Sequence, residues 1–507
     1  MWNISSRVKS FVPTSTLPGE KGLRRGVLGF VSHVVVGVGS TAPAYSLAAV
    51  LGLVTLKVGL QSAAILIISF VPMLLIASAY HWLNKVHPDC GTTFAWVSRA
   101  MGPWVGWLGG WTLVAAIVVV IANLAQLAGT YSLLVVGLDG AAANKWIVLG
   151  VGVVWVLATA AIAIVGVAVS AKAQWILLSA EVVILFAFAI AAVVRGHIDE
   201  PAGFVSPSLD WFNPFAVRSM GALSHGVLVA VFIYWGWDSA VTLNEESKDM
   251  HRTPGRAAVA STVALVALYV TVAIAAQAYH GPAYVTAHAG DVLGALGGEV
   301  LGPLGTLLDI AVLTSTSAAL QAAALSATRT SLSMAVHGAF PRALGRISVR
   351  FGTPSSSAVW LVALSIGWYV LLTALSQNLL NDAILGLGLL VAFYYGLTGY
   401  ACTIFYRRLV FASFRNVALL GIAPVAGGLV LTWAFADSAR LYADPAQSAS
   451  GSSWLGVGPP LVIGVGLLAL GVALMLVHRR HAPAFFARRR DAMDGPVAAG
   501  AAGSAAR

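Results

Sequence analysis

The chain has 507 residues, of which 59% are apolar and only 9% charged, and its formal net charge is +10. That balance excludes a string of soluble domains, which would need charged faces between the apolar runs, and points to a polytopic membrane protein. The two cysteines, Cys90 and Cys402, suggest neither a disulfide framework nor a metal site.

Residues 1–26 are polar and basic, ending in Lys21, Arg24 and Arg25. They contain no short apolar run with a small-residue cleavage site, so the first span is expected to serve as its own insertion signal. Apolar runs long enough for about 30 Å of hydrocarbon then predict twelve membrane helices. They lie near 27–55, 61–83, 104–136, 146–169, 174–195, 219–243, 257–279, 304–336, 356–375, 383–406, 416–436 and 456–478. Of the 29 Lys and Arg residues, 23 fall on the side that holds both termini, five on the other, and Arg329 lies inside a span. This asymmetry predicts cytoplasmic termini. It also makes the basic charge topological, with anionic membrane lipid as its neighbour and no role in nucleic-acid binding.

Two spans are interrupted. Span 1 reads as half-helices Val27–Val36 and Ala44–Thr55 around Gly37–Pro43, and span 6 carries Gly236 and Asp238 among aromatics at mid-depth. A carboxylate at the centre of a membrane helix costs roughly 2.5–3.5 kcal/mol on insertion scales, so it marks function. Unwound backbone survives in lipid only where it lines a cavity or lies inside protein, and paired broken helices point to a substrate site between them. The stretch Pro88–Gly102 is too short to span and reads as interfacial, with Trp96, Trp104, Trp107 and Trp111 as a belt. Asn123 and Gln126 share a face of span 3 and suit interhelical hydrogen bonds or substrate contact. Gly166–Gln174 reads as a connection before span 5, and the segment around 279–303 as an outer loop with a lid helix. Spans 11 and 12 read as scaffold, and the Ala- and Gly-rich tail within 479–507 as disordered.

Four groups of residues then combine. They are Val36–Gly39 after a basic N-terminus; Pro88, Gly91, Arg99 and Gly102 before span 3; Gly236–Asp238 followed by Asn244–Glu246; and Thr328 and Arg329 followed by Gly338–Pro341. In this order and spacing, over about residues 22–410, the chain resembles the amino acid–polyamine–organocation superfamily. The run Tyr234–Asp238 is similar to that of its actinobacterial permeases. The resemblance implies an all-α, leucine-transporter-like inverted repeat. Spans 1–5 (27–195) and 6–10 (219–406) would be related by a pseudo-two-fold axis, with two peripheral spans (416–478) and alternating access.

A dry amino acid site must satisfy a carboxylate and an ammonium group. Free backbone N–H groups at Gly37–Thr41, beside a helix N-terminus, suit the carboxylate. Gly37 and Gly39 allow close approach there, and Ser40 or Thr41 adds a hydroxyl. Carbonyls released near Phe232–Gly236 suit the ammonium, with Phe232, Trp235 and Trp237 as cation–π walls, a gate or ordinary packing. Asp238 reads as a coupling or gating group, a cap of the second half-helix, or a substrate-amine partner.

Counted from Gly166, Glu181 matches a position where the resemblance places a sodium-replacing lysine in some proton-coupled relatives. A glutamate there departs from that pattern yet keeps a titratable group, which reads as a proton carrier. The alternative readings are a sodium ligand together with Ser315, Thr316 or Ser317, or a pairing with Lys172. His33 and His225 read as packed histidines more than as relays, and Arg329 as snorkelling to the inner surface.

No H-E-x-x-H, G-x-S-x-G or cysteine cluster supports an enzyme, and the tails are too plain for a sensor domain. The expectation is a plasma-membrane permease for amino acids or organic amines, without a cofactor, coupled to H+. The alternatives are exchange or coupling to Na+, in a monomer or homodimer.

Overall fold

The computed structural model describes residues 21–376 and 378–488. Among these residues the fold is all helical, with only two isolated bridges, Leu28 to Ser247 and Trp454 to Val457. The helices are α1 (Phe30–Gly39), α2 (Pro43–Val58), α3 (Ser62–Val86), α4 (Thr93–Met101), α5 (Pro103–Val135), α6 (Lys145–Val165) and α7 (Val167–Asp199). They continue as α8 (Met220–Val231), α9 (Ser239–Thr242), α10 (Thr253–Ala287), α11 (Val292–Leu301), α12 (Thr306–Val336) and α13 (Ser355–Leu375). The last are α14 (Leu379–Phe405), α15 (Ala423–Leu441), α16 (Pro459–His481) and the short α17 (Pro483–Phe486).

Among the described residues, eleven apolar segments are long enough to cross a membrane, and the first, Phe30–Val86, has 57 residues. Continuous helix of that length would reach about 85 Å, far more than one crossing needs. The segment instead turns at Gly59, where φ is +63°. Both of its ends return to one face, since Leu28 pairs with Ser247 and Asn84 bonds Asn244. It therefore crosses twice, giving the twelve passes expected.

Burial separates centre from periphery. The most apolar windows of α5, α12 and α14 are 78%, 83% and 72% buried, against 28–33% for α6, α7, α13, α15 and α16, whose remaining faces are left for lipid. Without a hydrophobic drive between helices in lipid, small residues let backbones meet. A Cβ on Gly152 of α6 would lie 2.5 Å from the Ala125 carbonyl oxygen on α5, and one on Gly129 would lie 2.6 Å from that of Val148.

Several boundaries differ from the sequence reading. The turn at Gly166 (φ +153°) ends α6 at Val165, and α7 begins at Val167, so the stretch up to Gln174 is helix and not a connection. The lid helix forms as α11, after α10 has run on past a kink at Gly281 (φ +76°). The interfacial belt is corrected: Trp96 and Trp107 are buried, and their indole N–H groups donate to the His87 and Ala339 carbonyls. Their stretch, including α4, is wedged into the bundle. The first 20 residues lie outside the described residues, as do those beyond 488 in the tail expected to be disordered. The part of the tail at α17 is packed, with Phe485 and Phe486 buried against Phe94 and Trp104.

Candidate functional site: two broken helices and a buried latch

The break in the first pass is a single turn. Helix α1 ends at Gly39, Ala42 takes φ +46°, and Pro43 opens α2 at the position where a missing N–H costs nothing. The expected free donors at Gly37–Thr41 are not there. Ser40 N bonds the Val36 carbonyl at 3.0 Å and Thr41 N that of Val38 at 3.1 Å, so the chain consumes them locally. The available donors lie one turn later, and one of them is taken by an internal carboxylate. Ala44 N donates to Glu181 Oε1 at 2.7 Å.

The sixth pass breaks between α8 and α9. Phe232–Tyr234 tightens into one 3-10 turn, Trp235 is extended, and Gly236 takes φ +120°. The two breaks touch. Ser40 Oγ lies 2.6 Å from the Gly236 carbonyl oxygen and 2.9 Å from that of Gly37, so one hydroxyl serves both interruptions. Tyr269 Oη donates to the Ile233 carbonyl at 2.8 Å, and Thr41 Oγ1 to that of Val38 at 2.8 Å. Part of the carbonyl set expected to await an ammonium group is thus already used.

Asp238 is 4% exposed and does not cap α9 through its side chain. Tyr395 Oη donates to its Oδ1 at 2.9 Å and Tyr394 Oη to its Oδ2 at 3.2 Å, and Trp235 Nε1 donates in turn to Tyr394 Oη. The chain Trp235–Tyr394–Asp238 ties the sixth pass to α14. Trp237 is packing, stacked on Tyr395 with centroids 5.2 Å apart and edge-on to Tyr80. Phe232 lies in close contact with Gly388. Ser40, Trp235, Gly236, Asp238 and Tyr394 share a small cavity with apolar walls from Ile117, Val120, Leu124 and Ala319, about 20 Å³ in volume. A space that size holds about one water, so the site is contracted around its polar groups.

Glu181 lies away from that cavity, fully buried between α7, the start of α2 and Ser315 of α12. Ser315 Oγ also faces Tyr45 N at 3.5 Å. Glu181 Oε2, Ser317 Oγ and the Gln174 side-chain amide have no partner among the protein atoms. Thr316 Oγ1 is turned onto the Val312 carbonyl of its own helix at 2.9 Å. Glu181 does not pair with Lys172. Asn123 Oδ1 accepts from Tyr45 Oη at 3.3 Å, an interhelical bond, and His33 Nδ1 meets the Ala240 carbonyl at 2.7 Å, while His225 is on the surface.

The family model for amino acid permeases matches residues 27–467, nearly the whole described chain. The chain belongs to the amino acid permease family. This places it in the amino acid–polyamine–organocation superfamily, as the motifs implied. No curated protein matches it.

The permease carries a second polar assembly, at the face where both described chain ends lie, that the sequence reading missed. Lys21 Nζ lies 2.7 Å from Asp89 Oδ1, 2.8 Å from Glu245 Oε1, 3.1 Å from Ser333 Oγ and 3.6 Å from Cys90 Sγ. Asp89, Cys90 and Glu245 bring three metal-capable atoms within 4.8 Å of one another, but the cation they hold is this ammonium. Arg329 does not snorkel. It is 1% exposed and grips Glu246 with Nε at 3.0 Å and Nη2 at 3.1 Å. The Val27 and Leu28 N–H groups donate to the Glu246 carbonyl, which binds the entry to α1 onto the exit from α9. The adjacent glutamates of the quoted motif were the available signal. Nothing in the sequence shows that Lys21 reaches them.

Burial disfavours the charge on Lys21, but Asp89 and the neighbouring acids outweigh it and raise its pKa above the usual 10.5. Burial likewise opposes ionisation of Asp89, and Lys21 outweighs it to hold the carboxyl below the usual 3.8. A raised ammonium stabilises fully below its unfolded pKa and loses that only as pH rises through the folded value. A depressed carboxylate stabilises above its unfolded pKa and loses that as pH falls. The latch is therefore fully held between those two ordinary values. His87 and His337 face the same carboxylate, and burial pushes both down, His87 to about 3.

Two outcomes follow from this geometry. A Cβ on Gly236 would add strain at φ +120° and lie 2.6 Å from the Ser40 carbonyl oxygen. Gly236→Ala is expected to insert normally yet lose at least about tenfold in transport, the order of a strained backbone costing 1–3 kcal/mol; uptake assays in vesicles check this. Removing one partner of a buried pair costs about 3–5 kcal/mol. In a Cys402→Ala background, Lys21→Ala should therefore expose Cys90, now buried with its thiol pKa pushed up by burial. Maleimide labelling of Cys90 should rise well above wild type, by a ratio that stays constant between pH 6 and 8.

Proposed function

We propose that this permease moves amino acids or closely related amines through the cavity between the two breaks by alternating access. Uptake is driven by protons bound at Glu181. The observation that carries the reading is Glu181 Oε1 on the Ala44 N–H, at the N-terminus of α2, the half-helix that follows the first break.

An ionised carboxylate there gains from the N–H group and the helix dipole. Its second oxygen is buried without a protein partner, a costly arrangement for a charge. Each protonation state therefore has something in its favour, and the two states hold α7 to α2 with different strength. Protonation weakens that tie and frees α2 to move against α7, so the loading of a proton and the position of the first pass are linked. Asp238, bonded by two tyrosines, instead fixes the sixth pass against α14 and closes one wall of the cavity.

The charge distribution supports cytoplasmic termini, so the Lys21 and Arg329 pairs shut the cytoplasmic side and must part for release. A sodium-coupled reading rests on the Ser315 hydroxyl beside Glu181. Glu181, Ser315 and Ser317 would then be ligands and Thr316 a bystander.

Purified permease in liposomes, screened with labelled amino acids and amines, separates these readings. The expected result is accumulation driven by an inward proton gradient and reduced at least about tenfold in Glu181→Gln, which keeps the shape and removes the titration. Counterflow should persist in that variant. Accumulation that follows a sodium gradient instead, or is unchanged in Glu181→Gln, overturns proton coupling at this residue.

A further inference from the structure

A second cavity, separate from the one between the two breaks, lies where α5, α13, α16 and the connection after α12 meet. It is about 320 Å³ and lined almost entirely by apolar groups, among them Trp111, Phe340, Trp360, Leu364, Leu474 and Val477. A water occupies about 30 Å³, so the space suits a ligand much larger than solvent. It is open on the outward side: Trp360, Leu364 and Val477 are 56%, 55% and 52% exposed. All three belong to peripheral helices whose outer faces are left for lipid.

The groove has a polar end. Its walls on α13 and α16 run from Leu364 to Ser357 and from Leu474 to His481. Each spans eight residues, seven helical rises, so each wall is about 10 Å long. Both finish at the face where the described chain ends lie, and there the groove meets His478 and His481 in its own lining. Arg479 and Arg480 occupy the same last turn of α16, and Arg342 the turn after α12 that contributes Leu344. His478 Nε2 is anchored on the Gly338 carbonyl at 3.1 Å, and the Arg479 guanidinium stacks on Trp104, while Arg480 and His481 are exposed. No acidic side chain lines the groove.

We propose that this groove is a binding site for one anionic phospholipid of the leaflet on that side. Its acyl chain lies along Trp360, Leu364 and Leu474, and its phosphate meets the basic turn at His478–His481. An apolar recess of this depth at membrane level excludes a soluble anion, which would gain nothing from the wall. The concentration of positive charge at one end only favours an anionic headgroup over a zwitterionic one, since each Lys or Arg near such a surface contributes about 1 kcal/mol. Tryptophans beside the headgroup level suit the same boundary.

The test uses the full chain, purified in mild detergent and exposed to phosphatidylglycerol or phosphatidylcholine with identical acyl chains, with retained lipid counted by native mass spectrometry. Wild type should retain one phosphatidylglycerol in clear preference. Leu364→Trp, which fills the recess from a lipid-facing position, should lose the retained lipid. Arg479→Ala combined with Arg480→Ala should lower the preference by about tenfold, the worth of one to two arginine contacts. Thermal unfolding in lipid-free detergent confirms that both variants remain folded. Equal retention of the two lipids, or unchanged retention in Leu364→Trp, overturns the proposal. So does loss of a dimer rather than of a lipid in that variant, which assigns the groove to a second copy of the chain.

Discussion

A helix interrupted inside a membrane has no water to receive its freed backbone groups, so the protein must supply their partners. Here that requirement meets at Ser40, whose hydroxyl lies within hydrogen-bond distance of the Gly37 carbonyl of its own pass and of the Gly236 carbonyl of the other. Gly236 reaches that contact only through a positive φ and an approach that leaves no room for a Cβ. The cavity, its tyrosine-bound carboxylate and the short turns on either side all follow from these two backbones lying against each other.

The two intramembrane carboxylates divide the work through their surroundings. Asp238 has a hydroxyl on each oxygen and links two passes, which suits a wall that must keep its shape. Glu181 has one oxygen on a helix N-terminus and the other unpartnered, which suits a group that changes state. Neither arrangement depends on a long-range field. Each is set by which donor lies within about 3 Å. At the opposite extreme, the buried pairs of Lys21 and Arg329 contribute little net stability over an apolar replacement, and their value lies in directionality. Lys21 holds the entry to the first pass onto Asp89 and Glu245, and Arg329 holds α12 onto Glu246 at the end of the sixth.

The helical architecture was legible because the apolar runs are long and the charge between them is sparse. The break positions were legible from Pro43 and Gly236 and from the glycines before Pro43, although Gly37 and Gly39 prove helical and Gly37 lies closely against Ser261. What sequence could not supply was orientation around each helix. Tyr394 and Tyr395 lie in a span whose apolar pattern is nearly uniform, so nothing marked them as the partners of Asp238. Gly166 was legible as a break but not as a one-residue turn, since Ser170, Lys172 and Gln174 among small apolar residues fit a loop as well as the first turns of a helix. The indoles of Trp96 and Trp107 carry the same amphipathic signal in an interface as in a core that offers a carbonyl acceptor. Arg329 lies close enough to a helix end to snorkel, and only the folded position of Glu246 makes burial the better solution.

The central claim is that substrate occupies the space where Ser40 joins the two breaks. Its most direct measurement is protection of a thiol placed there, with Ser40→Cys in a chain where Cys90 and Cys402 are replaced by alanine. The variant is labelled by a small maleimide in membranes with and without a mixture of amino acids. Slower labelling in the presence of at least one transported amino acid, with no change for a control cysteine at the exposed Phe411 after α14, is the result this account predicts. Labelling of Ser40→Cys that no transported substrate alters would contradict it and move the substrate site elsewhere in the permease.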